Sequence, residues 1–229
     1  MTPPRPIAIL FDLDGTLVDT VPFILEAVRH AFQGEPRCPT DEEWIAGIGT
    51  PLRAQLAQFA ARPEDVEPLF ERYRAFWLAH HDERTRAFPG ALEVLRVLAG
   101  GGHPIGIVTA KIEQGAIRSL RHTGLLPYVS PTAIIGADSC PNSKPDPEPV
   151  FLALSRLGRP PREALLLGDS PHDLAAARGA GAFAVGALWG ASRREALAAH
   201  ADRLLEDIRD LPDLVETVER GAAAGPDAW

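Results

Sequence analysis

Five short apolar runs, IAILF (7–11), IGIV (105–108), AII (133–135), ALLL (164–167) and FAVGAL (183–188), punctuate the chain, each bounded by turn-forming residues. Runs of this length without polar alternation read as strands buried on both faces. Between the later runs lie stretches with helical spacing: Leu92, Leu95 and Leu98 within 90–99, Ile117 and Leu120 within 112–122, and Leu174 to Ala177 within 171–180. Strands alternating with helices imply right-handed crossovers, with helices covering both faces of one parallel sheet. The expected fold class is therefore α/β, with a doubly wound, Rossmann-like parallel sheet at its core.

One crossover breaks the rhythm. About 93 residues separate Phe11 from Ile105, whereas a crossover needs only a dozen or slightly more. The intervening sequence keeps a helical period: Phe23, Ile24, Ala27, Val28, Ala31 and Phe32 form one apolar stripe, and Val66, Leu69, Phe70, Tyr73, Phe76 and Trp77 form another. The expected organisation is a core of residues 1–19 and 87–220, an α-helical insert over 20–86 and a loose tail over 221–229, where GAAAGPDAW lacks apolar periodicity. Phe88-Pro89-Gly90 marks the return to the core, and Gly100-Gly101-Gly102 ends the helix that follows.

Composition excludes several classes of protein. A chain of 229 residues with 45% apolar and 24% charged residues is long enough for one sizeable core plus a small second domain, and is neither disordered nor fibrous in character. It has no run of about 18 apolar residues, and MTPPRP leads into a strand too short for a signal sequence. A cytoplasmic protein without membrane contact is expected. A net charge of −8 argues against a nucleic-acid partner, since duplex binding shows as a basic stripe, and Arg193-Arg194 reads as a solvated face. Cys38 and Cys140 lie outside any CxxC or Cys/His spacing, which gives neither a disulfide framework nor a zinc site. The expected state is a monomer or weak homodimer.

Ligands of open parallel α/β sheets bind outside the carboxyl ends of the strands, so the residues that follow each run belong to one rim. Asp12 and Asp14 follow the first run and Thr109-Ala110-Lys111 the second. Ser143-Lys144-Pro145 lies in the loop after the third, and Gly168-Asp169-Ser170-Pro171-His172-Asp173 follows the fourth. Asp12 and Asp14, two apart in an extended segment, project to one side, and close carboxylates repel unless a proton or cation intervenes. With Asp169 they make the oxygen-rich set that magnesium prefers. Asp12 is placed to attack phosphorus and form an aspartyl phosphate. Asp14 is placed to protonate the leaving oxygen and then deprotonate water. Thr109 and the Ala110 amide, near a helix start, can donate to phosphate oxygens, and Lys144 adds a compact positive charge. Gly15 lets the backbone turn and leaves room for a phosphate. Taken singly, Ser170-Pro171 is an ordinary helix cap and Lys144 an ordinary surface lysine. The string D-x-D-G-T, in contrast, has a chance on the order of 10⁻⁵ per position.

Asp12-Leu13-Asp14-Gly15-Thr16 resembles the first motif of the haloacid dehalogenase-like hydrolase superfamily, phosphatase branch. Thr109 is similar to its second motif, Lys144 to its third, and Gly168-Asp169 through Asp173 to its fourth, so the resemblance spans nearly the whole chain. It implies a small helical cap inserted after the first motif, matching the 20–86 insert. It also implies a magnesium site in which the Asp14 backbone carbonyl joins Asp12 and Asp169, with Asp173 in support. Retention of Asp14 implies phosphate chemistry in place of carbon–halogen cleavage, and Ile24 stands where the β-phosphoglucomutase branch carries a histidine. The implied activity is magnesium-dependent hydrolysis of a small phosphorylated metabolite, with phosphoglycolate phosphatase first and inorganic pyrophosphatase of the same family as the alternative. Ile48-Gly49-Thr50-Pro51-Leu52, Tyr73-Arg74-Ala75-Phe76 and His80-His81-Asp82 resemble the pyrophosphatase cap. Arg53, just behind the first of these, is the residue expected to hold a second anionic group of the substrate. The plainer reading of His80 and His81 is that they close a hinge or cap a helix C-terminus, and the remaining histidines, His172 among them, show no interpretable partner spacing. A phospho-receiver module, with clustered aspartates, a threonine and a lysine on a similar sheet, is the alternative from another class. The long insert and the pairing of Asp14 with Asp12 weigh against it.

Overall fold

The computed structural model describes residues 6–224. Its strands are β1 (Ala8–Phe11), β2 (Val18–Asp19), β3 (Arg86–Ala87), β4 (Ile105–Val108), β5 (Ile134–Ile135), β6 (Ala164–Gly168), β7 (Phe183–Ala187) and β8 (Arg203–Leu205). Six of them form one parallel sheet in the order β5-β4-β1-β6-β7-β8. The α/β class and the Rossmann-like core follow directly from this order. β1 lies between β4 and β6, with Ile9 level with Ile105 and Phe11 level with Leu167.

Side chains alternate across the sheet as the pleat requires. Ile9, Phe11, Ile105, Ile107, Leu165 and Leu167 face one way, onto α5 (Ala91–Gly100), α6 (Glu113–His122) and α10 (Leu211–Ala224). Ala8, Leu10, Val108 and Leu166 face the other way, onto α7 (Glu148–Leu157) and α8 (Pro171–Ala180). Each large side chain removed from water on these faces contributes roughly 1.5–3 kcal/mol, which is why neither face of these strands carries polar residues.

Between β2 and β3 run α1 (Val21–Ala31), α2 (Asp41–Ile45), α3 (Leu52–Ala57) and α4 (Val66–Arg84). They have their own apolar cluster, built on Phe23, Ala27, Val28, Trp44, Leu56, Leu69, Tyr73 and Trp77. This includes most of the first stripe read from the sequence and half of the second; Ile24, Val66, Phe70 and Phe76 are only partly buried against it. The two connections between insert and core pair with each other as a short antiparallel ladder, Val18 with Ala87 and Asp19 with Arg86. The sequence reading anticipated neither this two-residue ladder nor β8. It also ended the fold too early, since α10 continues to Ala224 and residues 221–224 are helical in backbone. Residues 225–229 of the expected loose tail lie outside the described residues. Among the described residues no helix is long and apolar enough to cross a membrane.

Candidate active site

The end of β1 carries Asp12 into the middle of the rim, where its amide donates to the Leu167 carbonyl at 2.9 Å. β6 brings Asp169 there, and the first turn of α8 brings Asp173. Carboxylate oxygens of these three buried residues lie within 4.8 Å of one another. Lys144 enters from the loop after β5, and its Nζ donates to Asp12 Oδ1 at 2.6 Å, Asp173 Oδ1 at 2.5 Å and the Val108 carbonyl at 2.9 Å. With only 4% of its surface exposed, Lys144 is not the solvated lysine of the plainer reading. The cap reading of Ser170 is realised as well: its hydroxyl accepts the Asp173 amide at 3.3 Å and its amide donates to Asp173 Oδ2 at 3.0 Å, the reciprocal pair of a capping box. Asp173 thus completes the cap of α8 with one oxygen and holds Lys144 with the other.

Asp169 accepts from Thr16 Oγ1 at 3.1 Å and from the Ala191 amide at 2.7 Å. Two glycines make room for it. A Cβ on Gly15, whose φ is +86°, would lie 2.2 Å from Asp169 Oδ2, and one on Gly190 would lie 2.2 Å from Asp169 Cβ. The space at Gly15, expected to admit a phosphate, is occupied by the Asp169 carboxylate.

Crowding sets the charge state of the cluster. Burial pushes the Asp12 carboxyl well above the usual range; the Lys144 ammonium opposes this, and repulsion from Asp173 and Asp169 adds to it. Burial and repulsion from Asp173 push Asp169 up to about 7, against the Ala191 amide, Thr16 and Lys144. For Lys144, burial disfavours the charge, but Asp12 and Asp173 outweigh it and hold the ammonium's pKa above the ordinary range. Three carboxylates share one buried ammonium, so the cluster is short of positive charge. An all-oxygen donor set lacking positive charge suits a hard divalent cation such as magnesium.

The Asp14 carboxylate stands outside this cluster. Its Oδ1 accepts from Thr20 Oγ1 at 2.5 Å and from Lys111 Nζ at 2.7 Å. Thr109 is buried, and its hydroxyl accepts the Lys111 amide at 3.2 Å, leaving its own proton available. The Ala110 amide has no acceptor among the described residues. The helix itself begins only at Glu113, so both groups are presented from a turn.

The structure does not bring Arg53 to the cluster. Its Nε and Nη2 donate to Glu67 at 3.0 and 2.8 Å, and its guanidinium lies 3.4 Å over the Phe70 ring, all within the insert and half exposed. His80 packs on Phe76 at the surface. His81 is fully buried between Asp82 and Ser119, so it does not cap a helix end. The insert touches the core rim at Gly49, where a Cβ would lie 2.6 Å from Ser170 Oγ and 3.3 Å from His172 Nδ1. The sequence reading assigned no role to Thr16, Thr20, Lys111 or Ala191. Thr16 belongs to the first motif and Lys111 follows Thr109-Ala110, which was a usable signal for each. Ala191, after β7, acts through its backbone amide alone, which no side chain in the sequence marks.

Residues 9–187 match the sequence model of the family described as haloacid dehalogenase-like hydrolase. The chain belongs to that family. It is 37% identical over 215 residues to Pyrophosphatase PpaX of Bacillus velezensis, a match covering 92% of this chain and 97% of that protein. Its fold is similar to a hydrolase from Pseudomonas syringae, with a TM-score of 0.83, 28% identity, and 93% and 99% of the two chains covered. It also resembles the fold of a predicted phosphoglycolate phosphatase from Haemophilus somnus, with a TM-score of 0.82, 22% identity, and 93% and 99% covered. Within the family the chain stands in the phosphatase branch.

Proposed function

We propose that this protein hydrolyses inorganic pyrophosphate, with magnesium, through an aspartyl phosphate on Asp12. The observation that carries the reading is the buried Asp12, Asp169 and Asp173 cluster around Lys144, beside the free donors of Thr109 and Ala110. Asp12 and Asp169, with the Asp14 backbone carbonyl and Asp173 in support, would hold the cation, which would neutralise charge on the nucleophile and the phosphoryl group.

Asp12 attacks phosphorus, the bond to the leaving oxygen breaks, and Asp14 gives that oxygen its proton. Asp14 then takes a proton from the incoming water, which cleaves the aspartyl phosphate, releases the second phosphate and restores both carboxyl groups. Thr109 and Ala110 donate to the phosphoryl oxygens, while Lys144 offsets their charge and orients Asp12. The helical insert acts as the cap: with Gly49 seated on Ser170 and His172, it covers the rim and excludes water. This reading takes the protein as a cytoplasmic monomer or weak homodimer.

The choice of substrate reverses the order drawn from the motifs, which put phosphoglycolate ahead of pyrophosphate. The 37% identical relative that nearly matches this chain end to end is named a pyrophosphatase. The neighbour named for phosphoglycolate, at 22% identity, supports only the fold. Steady-state phosphate release with magnesium should give a kcat/KM for pyrophosphate at least about tenfold above that for phosphoglycolate, a difference of roughly 1.4 kcal/mol in barrier. Preference for phosphoglycolate overturns the substrate, and release of only one phosphate per protein favours a receiver module.

The raised carboxyls also predict how the cation acts on stability. Because Asp169 titrates near 7 when folded and near 4 when unfolded, the metal-free folded state holds the extra proton between those values. Its contribution to stability is therefore full below about pH 4 and falls as pH rises through 7. Magnesium must displace that proton. The rise in Tm on adding magnesium should be small at pH 5.5 and large at pH 8, and equal shifts at both would show that the ion binds elsewhere.

A further inference from the structure

Both donors on Asp14 reach the same oxygen. Thr20 Oγ1 and Lys111 Nζ each donate to Oδ1, and among the described residues no donor reaches Oδ2. A carboxylate anchored through one oxygen presents the other in a defined direction, which a proton-transferring group needs. Thr20 lies at the start of the insert. Lys111 comes from the core and has no covalent reason to follow the insert's position.

Its surroundings supply one. Lys111 Nζ lies 4.9 Å from the centroid of the Trp77 ring and 3.4 Å from Ser119 Oγ, with its side chain 13% exposed. Trp77 and His81 belong to α4 of the insert, and Ser119 to α6 of the core. His81 Nδ1 is 2.6 Å from Asp82 Oδ1, and its Nε2 is 2.9 Å from Ser119 Oγ. The carboxylate can only accept, so it places the imidazole proton on Nδ1, and Nε2 then accepts from the Ser119 hydroxyl. That turns a lone pair of Ser119 toward the lysine. The hydrogen bonds therefore run in one direction, from Lys111 to Ser119, to His81 and, through the ring, to Asp82. Burial and the nearby Lys111 and Arg118 charges favour the neutral imidazole this requires, against the pull of Asp82.

We propose that Lys111 is a positioning residue that ties the seating of the helical insert to the aim of Asp14, through Trp77 and the Ser119–His81–Asp82 chain. With the insert seated, Asp14 Oδ1 is held and Oδ2 is the oxygen that exchanges the proton. When α4 withdraws, Lys111 loses Trp77 and Ser119 loses His81, so the lysine keeps only the unoriented Ser119 hydroxyl and one of the two anchors of Asp14 is no longer fixed. The inference rests on the acid/base role of Asp14 and extends it.

Single-turnover phosphoenzyme formation and steady-state turnover should be measured with magnesium for Asp14→Asn, Lys111→Met and the double variant. The substrates are pyrophosphate, an alkyl phosphate and an activated aryl phosphate. Lys111→Met keeps most of the side chain's length and removes the ammonium that donates to Asp14 and faces Trp77. It should lower kcat roughly ten- to a hundredfold with KM within about threefold, and slow phosphoenzyme formation least on the aryl phosphate, whose leaving group needs little acid help. The double variant should be no slower than Asp14→Asn, as expected when one residue acts through another. Ser119→Ala, which leaves the lysine in place, should give the same leaving-group pattern at several-fold loss, and it carries the test if Lys111→Met does not fold. Multiplying losses in the double variant, or a rise in KM alone, would overturn the proposal and make Lys111 a substrate contact. Full activity in Asp14→Asn would instead remove the acid/base role itself and the proposal with it.

Discussion

Asp12→Asn should abolish turnover to below about a thousandth of the wild-type rate while the chain stays folded. An amide oxygen is a poor nucleophile, so the loss falls on bond formation to phosphorus, and about 4 kcal/mol of barrier corresponds to that factor. The fold should survive because Lys144 keeps its contacts to Asp173 and the Val108 carbonyl, and one of three mutually repelling carboxylates is gone. Steady-state phosphate release and a circular-dichroism melt of the same sample check both parts. More than about a tenth of wild-type activity would remove Asp12 from the reaction.

Lys144→Met should be the most destabilising single change in the site. The ammonium is buried and held by two carboxylates at 2.5 and 2.6 Å. Methionine would fill much of its volume and leave Asp12 and Asp173 with no counter-charge. Removing one partner of a buried ion pair costs about 3–5 kcal/mol, or roughly 10 °C in Tm for a chain of this size. The sign of the pH dependence follows. Without the ammonium that opposes it, the buried Asp12 carboxyl binds a proton more readily still, so the deficit should be largest near pH 8 and shrink toward pH 5, where that carboxyl becomes neutral. Thermal melts at both values in the presence of a chelator read this out. An unchanged Tm at pH 8 would mean that the lysine is not the cluster's counter-charge.

Where burial alone decided a segment, the sequence was sufficient. IAILF could only be a strand covered on both faces, and Ile9 and Leu10 do face opposite sides of the sheet. Residues 171–180 had both a cap and a period, and α8 has those bounds. The convergence of Asp12, Lys144, Asp169 and Asp173 was legible because a parallel sheet gathers its strand ends at one rim. Pairings that depend on tertiary position were not. The ladder between β2 and β3 involves two residues a side and leaves no periodic trace. β8 is a three-residue edge strand with one exposed and two half-buried side chains. Arg53 was chosen for its charge and its place in the insert, but Glu67 and Phe70, 14 and 17 positions on, hold its guanidinium. Lys111, 97 positions from Asp14, is the cation that the fold delivers to the second aspartate.

The central claim is that phosphate is carried transiently on Asp12, and trapping it is the most direct test. Asp14→Asn should slow cleavage of the intermediate by water and let it accumulate. Incubating this variant with magnesium and radiolabelled pyrophosphate, quenching in acid and mapping the labelled peptide should place the phosphate on Asp12, in a bond that hydroxylamine cleaves as expected of an acyl phosphate. Turnover by the wild-type protein with no label retained by the variant, or label on any other residue, would contradict the account.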